Sequence, residues 1–386
     1  MNKKLIKLDH LGQFFMAVAS EKNPGTFSVT AHLNEDLHPK ALQRAVGNII
    51  KRLPHINARL HRGFLHYYHL LLKNPPKIRH ESEFPAVCRH FQRGERLIRV
   101  IYGKRHFTVE VRHSVCDGRS LATVVRAILV DYFRLLGAQV SPILGKPCKQ
   151  ETENAYAAHA DLREYWSDKA PAAYVPPYTR TTPRIFTQKI ELAGLKTSAK
   201  ARGMTVSEYI LSCIMEEFEA QSVRENGKCA ITASVPIDCR GFIPTNCLRN
   251  FVTHKTIVMP NKKSISQQFA EIDYDYIQNK ISEPENFINL GKYVPLFMKN
   301  WLIKLIGKSL GSGFTTGFSN IGVLQLPEEV QDRVEMISFA LGPEPKTPYV
   351  FACATLGNTL AFTATTTARD TSIIVKISNR LSDECG

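Results

Sequence analysis

Residues 27–60 and 185–219 of this chain repeat one plan, a strand and then a helix, on either side of a proline cluster. In the first stretch Phe27 to Leu33 reads as a strand. Pro39 to Leu53 reads as a helix whose apolar stripe is Leu42, Ala45, Val46, Ile49 and Ile50. In the second, Phe186, Lys189-Ile190 and Leu192 mark a strand, and helices follow over Gly194 to Ala201 and Val206 to Phe218. Thr205 and Glu208 have capping-box spacing, in which each side chain satisfies a backbone N–H at the helix start. Between the repeats Pro171, Pro176, Pro177 and Pro183 fix φ and remove donors, so residues 171–184 read as a linker. An apolar strand face and a helix stripe can only bury each other in layers. The chain is therefore expected to be α/β, with one half over 1–170 and a second over 185–386. At 386 residues and 43.5 kDa each half is long enough to bury its own core.

Each half reaches a strand that ends in a polar turn. In the first, Phe107, Val109, Val111 and His113 recur every second residue, while Thr108, Glu110 and Arg112 point the other way. His113 opens the run His113-Ser114-Val115-Cys116-Asp117-Gly118. Arg119 to Leu136 then reads as a helix with Leu121, Val124, Val125, Ile128, Leu129, Tyr132 and Leu136 on one stripe. A strand thus delivers an imidazole to a core edge, and Gly118 permits a sharp turn. An imidazole with a pKa near ~6.5 is mostly neutral at pH 7 and can take a proton as a general base. Asp117 can orient it, as the carboxylate of a triad does, or turn away into a salt bridge. The plainer alternative is a packed histidine, since the chain has 13. Cys116 has no second base beside it and reads as a packed residue.

His113-Ser114-Val115-Cys116-Asp117-Gly118 resembles the HxxxDG signature of the CoA-dependent acyltransferase superfamily. That superfamily includes chloramphenicol acetyltransferase, alcohol acetyltransferases, polyketide-associated acyltransferases and the condensation domains of peptide synthetases. Its position, between strand and helix a third of the way along, also agrees. Many members carry a histidine where this chain has Arg112; alternation puts that residue on the other face and leaves the base intact. A strand over Ala230 to Val235 leads into Pro236-Ile237-Asp238-Cys239-Arg240, followed by Leu248-Arg249-Asn250-Phe251. This is similar to the family's proline-x-aspartate-x-arginine segment and the asparagine-phenylalanine pair after it. The resemblance implies that Arg240 pairs with Asp117, making the aspartate structural. Arg59, in a segment resembling condensation domains, is the rival partner. Thr315 to Gly322 resembles the serine-asparagine-x-glycine segment of the alcohol acetyltransferase branch, so Ser319 or Asn320 is expected to contact an oxyanion or thioester. A tight strand entry is the alternative there. No GK[ST] follows the glycines at 307, 311, 313, 317 and 322, which excludes a P-loop. The plant enzymes' DFGWG segment is absent.

The family implies two chloramphenicol-acetyltransferase-like α/β sandwich halves, a pseudo-dimer, with His113 in a tunnel between them. It also implies acyl transfer, acetyl in the leading case, from acyl-CoA as co-substrate to a small-molecule alcohol or an amine. His113 acts as base in a ternary complex, and no cofactor is bound permanently. An acyl carrier protein donating in trans is the alternative, as is a non-catalytic binding module of the same fold.

Net charge is +15 and the sequence pI about 9.4. The basic residues are dispersed without a nucleic-acid motif, and a polyanion such as CoA or an acidic carrier also explains them, as weak support for the family reading. The nine scattered cysteines, with no CxxC pair, read as reduced thiols of a cytoplasmic protein, and a monomer is expected. Near the N-terminus Asp9, His10 and Gln13 interrupt FFMAVA, so neither export nor stable membrane insertion is expected. His61, His66 and His69 lack a completing cysteine or carboxylate, so no metal is expected; they are placed in a strand or hairpin. Tyr293 to Leu310 is a basic amphipathic helix with Asn300, Lys304 and Lys308 on one stripe. It suits a membrane surface, but covering a sheet is the more ordinary use of such a pattern.

Overall fold

The computed structural model describes residues 4–84, 88–161, 171–178, 182–225, 229–309, 313–342 and 346–383. Residues 162–170 at the end of the first half, 179–181 of the proline-rich linker, Leu310, Gly311 and Cys385 lie outside them. The strands are, in the first half, β1 Leu5–Lys7, β2 Thr26–Leu33, β3 Ala58–Arg62, β4 Tyr67–Leu71, β5 Arg79–His80, β6 Ile98–Tyr102 and β7 His106–Arg112. In the second they are β8 Arg184–Glu191, β9 Ile231–Asp238, β10 Val252–Met259, β11 Thr316–Val323, β12 Val334–Leu341, β13 Tyr349–Leu356 and β14 Thr359–Thr366.

Two large sheets carry the α/β architecture. One has strand order β12-β2-β7-β6-β5, the other β10-β9-β11-β13-β14-β8, and a small third sheet is β1-β4-β3. Phe27, Val29 and Ala31 of β2 and Phe107, Val109 and Val111 of β7 face helices Pro39–Arg52 and Gly118–Leu135 in one core. In the second core Tyr349, Phe351 and Phe362 pack on helices Leu192–Ala201, Val206–Arg224 and Ser372–Asp383. The Thr205–Glu208 capping box is present. A third cluster joins the halves, with Tyr156 against Cys239, Phe251 and Ile277.

Three details differ from the sequence reading. First, β12 belongs by position to the second half but pairs antiparallel with β2, from Phe27↔Leu341 to Leu33↔Val334. It completes the first sheet. Second, β9 runs through Pro236 to Asp238 instead of ending at Val235. It pairs with β10 along its length but with β11 only at Ala233 and Ser234, so Pro236 loses no bond on that side. Third, the far face of β7 is itself buried. Glu110 bonds Arg99 at 2.9 Å and accepts from the Cys88 N–H. Arg112 does lie on that face, 4% exposed, with its guanidinium 3.5 Å from the Phe91 carbonyl. Burial draws its pKa down to about 10.

Candidate active site

The loop His113–Asp117 is tied to the second half of the chain by one carboxylate. Asp117 caps helix Gly118–Leu135, its Oδ1 accepting the Ser120 N–H at 2.9 Å. Its Oδ2 accepts from Arg240 Nη1 at 2.8 Å and from the Phe251 N–H at 2.8 Å. Although Asp117 is 1% exposed and burial alone would raise its pKa, Arg240 and these N–H groups hold it below the usual carboxylate range. Arg240 also donates to Asp238, to the Ser120 hydroxyl and to the carbonyls of Cys247 and Arg249. The contact expected of Arg240 or Arg59 is thus made by Arg240. Arg59 lies on β3 and bridges to Arg96.

Gly118 serves a purpose other than the turn expected of it. Its φ is not in the left-handed region; it is the first helical residue. A Cβ there would stand 3.0 Å from Ile321 Cγ2 and 3.1 Å from Phe339 Cζ, both from the second half. Glycine lets the two halves close on each other at this point.

His113 is half-buried, its ring stacked on Phe15 at 4.2 Å and meeting Phe27 edge-on at 4.8 Å. Its tautomer follows from Asn250. The Asn250 amide nitrogen donates to the His113 carbonyl at 2.9 Å and to Asp9 Oδ1 at 3.2 Å, which fixes the flip of the amide. Asn250 Oδ1 is then the acceptor 3.3 Å from His113 Nδ1, and the ring's own backbone carbonyl also acts on it. Nδ1 carries the proton and Nε2 keeps its lone pair. Burial lowers the pKa of the ring and favours this neutral form. Asp9 is wholly buried, caps helix His10–Val18 through the Gly12 N–H and pairs with Arg249 at 3.2 Å. Sequence reasoning used Asp9 only to interrupt an apolar run, and it gave Phe15 no role. The one local signal was the helix-capping spacing Asp9-x-x-Gly12.

Ser319 and Asn320 part company on β11. Phe318 lies in the second core, and Asn320 shares its face, donating to Ser207 Oγ at 2.9 Å and accepting the Gly322 N–H at 2.8 Å. Asn320 thus braces the strand through both ends of its amide, with one N–H of its nitrogen committed to Ser207. Ser319 shares the other face with Ile321, which packs against the first core. Cys116 is wholly buried and its thiol pKa is pushed well up, as befits a packed residue. The eight described cysteines are all free, and no group of three potential metal ligands occurs among the described residues. His61, His66 and His69 fall on the β3–β4 hairpin.

Two further imidazoles are buried in the first half, one of them beside the loop. His69 Nε2 stands 3.3 Å from Ser114 Oγ, and His55 lies just before β3 near the Leu248 backbone. Burial holds His55 at about 4 and His69 at about 3. Both stay neutral in the fold, whereas the unfolded chain takes up protons below 6.5. Their contribution is therefore full above pH 6.5 and is lost as pH falls. Between pH 7 and 5 each should cost about 2 kcal/mol, at ~1.4 kcal/mol per unit. Urea unfolding at the two pH values should show the drop; equal midpoints would refute it.

The paired α/β halves, bridged at an HxxxDG loop, form the fold of condensation domains and their acyltransferase relatives. Polyketide synthase associated protein 5 from Mycobacterium tuberculosis is similar over 98% of this chain and 97% of its own, with TM-score 0.60 and 15% identity. The first condensation domain of the CDA synthetase matches over 100% and 97%, with TM-score 0.59 and 12% identity. The SgcC5 protein from Streptomyces globisporus matches over 98% of each chain, with TM-score 0.53 and 11% identity. At such identities the likeness is one of fold. No family model and no curated protein matches the sequence.

Proposed function

We propose that the chain is an acyltransferase that moves an acyl group from a thioester to a hydroxyl acceptor. The observation that carries this is the Asp9–Asn250–His113 relay, which leaves Nε2 of a half-buried histidine unprotonated. Nε2 takes the acceptor's proton as its oxygen attacks the thioester carbonyl. The tetrahedral intermediate collapses, the C–S bond breaks, and the imidazolium returns the proton to the leaving thiolate. Ser319 is the candidate donor to the oxyanion, on the face of β11 that looks toward the first half. Direct attack in a ternary complex suits a site whose loop thiol, Cys116, is buried and protonated. Acyl-CoA is the donor taken first, and the +15 charge of the chain suits its phosphates as it would an acidic carrier. The solved complex of SgcC5 with a naphthyl-ethanediol is compatible with an alcohol acceptor in this fold. Free cysteines fit a reducing cytoplasm.

The resemblance to condensation domains supports a second donor, an acyl group on a carrier protein supplied in trans. Incubation with acyl-CoAs and alcohols, following free thiol, tests both. Release from CoA thioesters is expected. Release only from a loaded carrier would select the second donor, and release from neither would leave a binding module.

A further inference from the structure

Helix Leu296–Ser309 packs by one narrow edge and leaves much of its apolar surface in solvent. The side turned to the protein is mixed, with Leu296, Lys299, Asn300 and Ile303 on it, while Lys304 is exposed. Lys299 Nζ donates to the Leu65 carbonyl at 3.0 Å, and Asn300 donates to the Tyr67 hydroxyl at 2.7 Å, beside buried Leu296. The other side is turned to solvent, with Phe297 67%, Trp301 66%, Met298 49% and Leu305 48% exposed. Six of the fourteen large apolar side chains that stand exposed among the described residues lie between Tyr293 and Leu305. Phe64, 75% exposed at the tip of the β3–β4 hairpin, extends the patch, because its carbonyl accepts the Leu296 N–H. The helix thus meets the small sheet as expected, Leu296 packing with Tyr67 of β4, but it leaves most of its large apolar side chains uncovered. It rests on the β3–β4 hairpin and on helix His10–Val18 by an edge that combines Leu296 with Lys299 and Asn300. Clustered apolar exposure of this kind marks a surface that meets something else.

The charges around the patch say what. No Asp or Glu occurs between Glu285 and Glu328, a run that holds Lys292, Lys299, Lys304 and Lys308. Exposed Lys4 and Lys7 enter from β1, and Lys7 is close enough to Lys299 to depress its pKa together with burial. The surface is one protruding helix rather than a groove, with a tryptophan and a tyrosine among aliphatic side chains and lysines at the margin. That composition suits the headgroup layer of a bilayer. No helix among the described residues is long and apolar enough to cross a membrane.

We propose that the exposed face of helix Leu296–Ser309, with Phe64 and Tyr293, docks the protein on an anionic lipid bilayer, lying in its interface. The docking helix is then one helix away from the base: helix His10–Val18 packs against its inner edge, with Phe14 45% exposed and Phe15 stacked on His113. Co-sedimentation with vesicles tests this, using phosphatidylcholine alone and a mixture with about 30% phosphatidylglycerol. The full chain should bind the anionic vesicles at least ~10-fold better than the neutral ones. The triple variant Phe297→Ser, Trp301→Ser, Leu305→Ser should lose at least ~10-fold of that binding with an unchanged thermal melt, since all three side chains are exposed. No binding to anionic vesicles overturns the proposal, and so does a triple variant that binds like the parent, which would mean net charge alone acts. A parent dimer that the variant converts to monomer, or a loss confined to carrier-protein binding, would assign the face to another partner and equally overturn it. None of these readouts depends on acyl transfer.

Discussion

His113→Ala is expected to lose acyl transfer by about 100- to 10,000-fold, the range of a positioned general base, while its thermal melt stays close to that of the parent. The ring is half-buried, and what fixes the loop is Asp117, not the imidazole. The parent should also carry the mark of a base held neutral. Transfer requires unprotonated Nε2, and burial lowers the ring's pKa from its usual 6.5. The rate should therefore stay level as pH falls from 7.5 through 6.5 and decline only below that. Initial rates between pH 5 and 8 check this. A variant that keeps most of the rate would remove His113 from the chemistry, and an acid limb at or above pH 6.5 would contradict the buried neutral ring.

Arg240→Ala should be the most damaging single change to stability, at about 3–5 kcal/mol, because it strands a buried carboxylate. Asp117 would keep the Ser120 and Phe251 N–H groups but lose its only cation at bonding distance among the described residues. The carbonyls of Cys247 and Arg249 lose a donor at the same time. Urea midpoints measure the loss, and an unchanged midpoint would refute the brace. Adding Asp117→Ala should cost less than the two single changes summed, since the charge left uncompensated by one is removed by the other. In the parent, the depressed carboxyl pKa means the pair contributes fully above pH ~4 and is lost only as pH falls through the lowered value.

Sequence periodicity read the local elements closely. β2, helix Pro39–Arg52, helix Gly118–Leu135 and the Thr205 capping box fall within a residue or two of expectation. These depend on spacing within one segment. The Asp117–Arg240 contact, 123 residues apart in sequence, came from the resemblance, since no periodicity encodes it. Asp9 was missed for the same reason: its partner Asn250 is 241 residues away. Asn320 was read as a donor because its residue type suits the task. Only the pleat, which sets it opposite Ile321, shows that it faces Ser207. Helix Leu296–Ser309 shows a different limit. A pattern of apolar spacing says which residues could be buried, but not how much of that surface the rest of the chain covers.

The edge strand β12 bears on how the chain is made. Its partner β2 ends at Leu33, whereas β12 begins at Val334. On a ribosome moving at about 5–20 residues per second, the β2 edge waits roughly 15–60 s for its native neighbour. Throughout that interval a row of unpaired N–H and C=O groups is open to any passing strand. Cutting the gene at the proline-rich linker would make the wait permanent, so the first half released alone should be sticky and short-lived, whereas co-expression with residues 185–386 restores the missing strand.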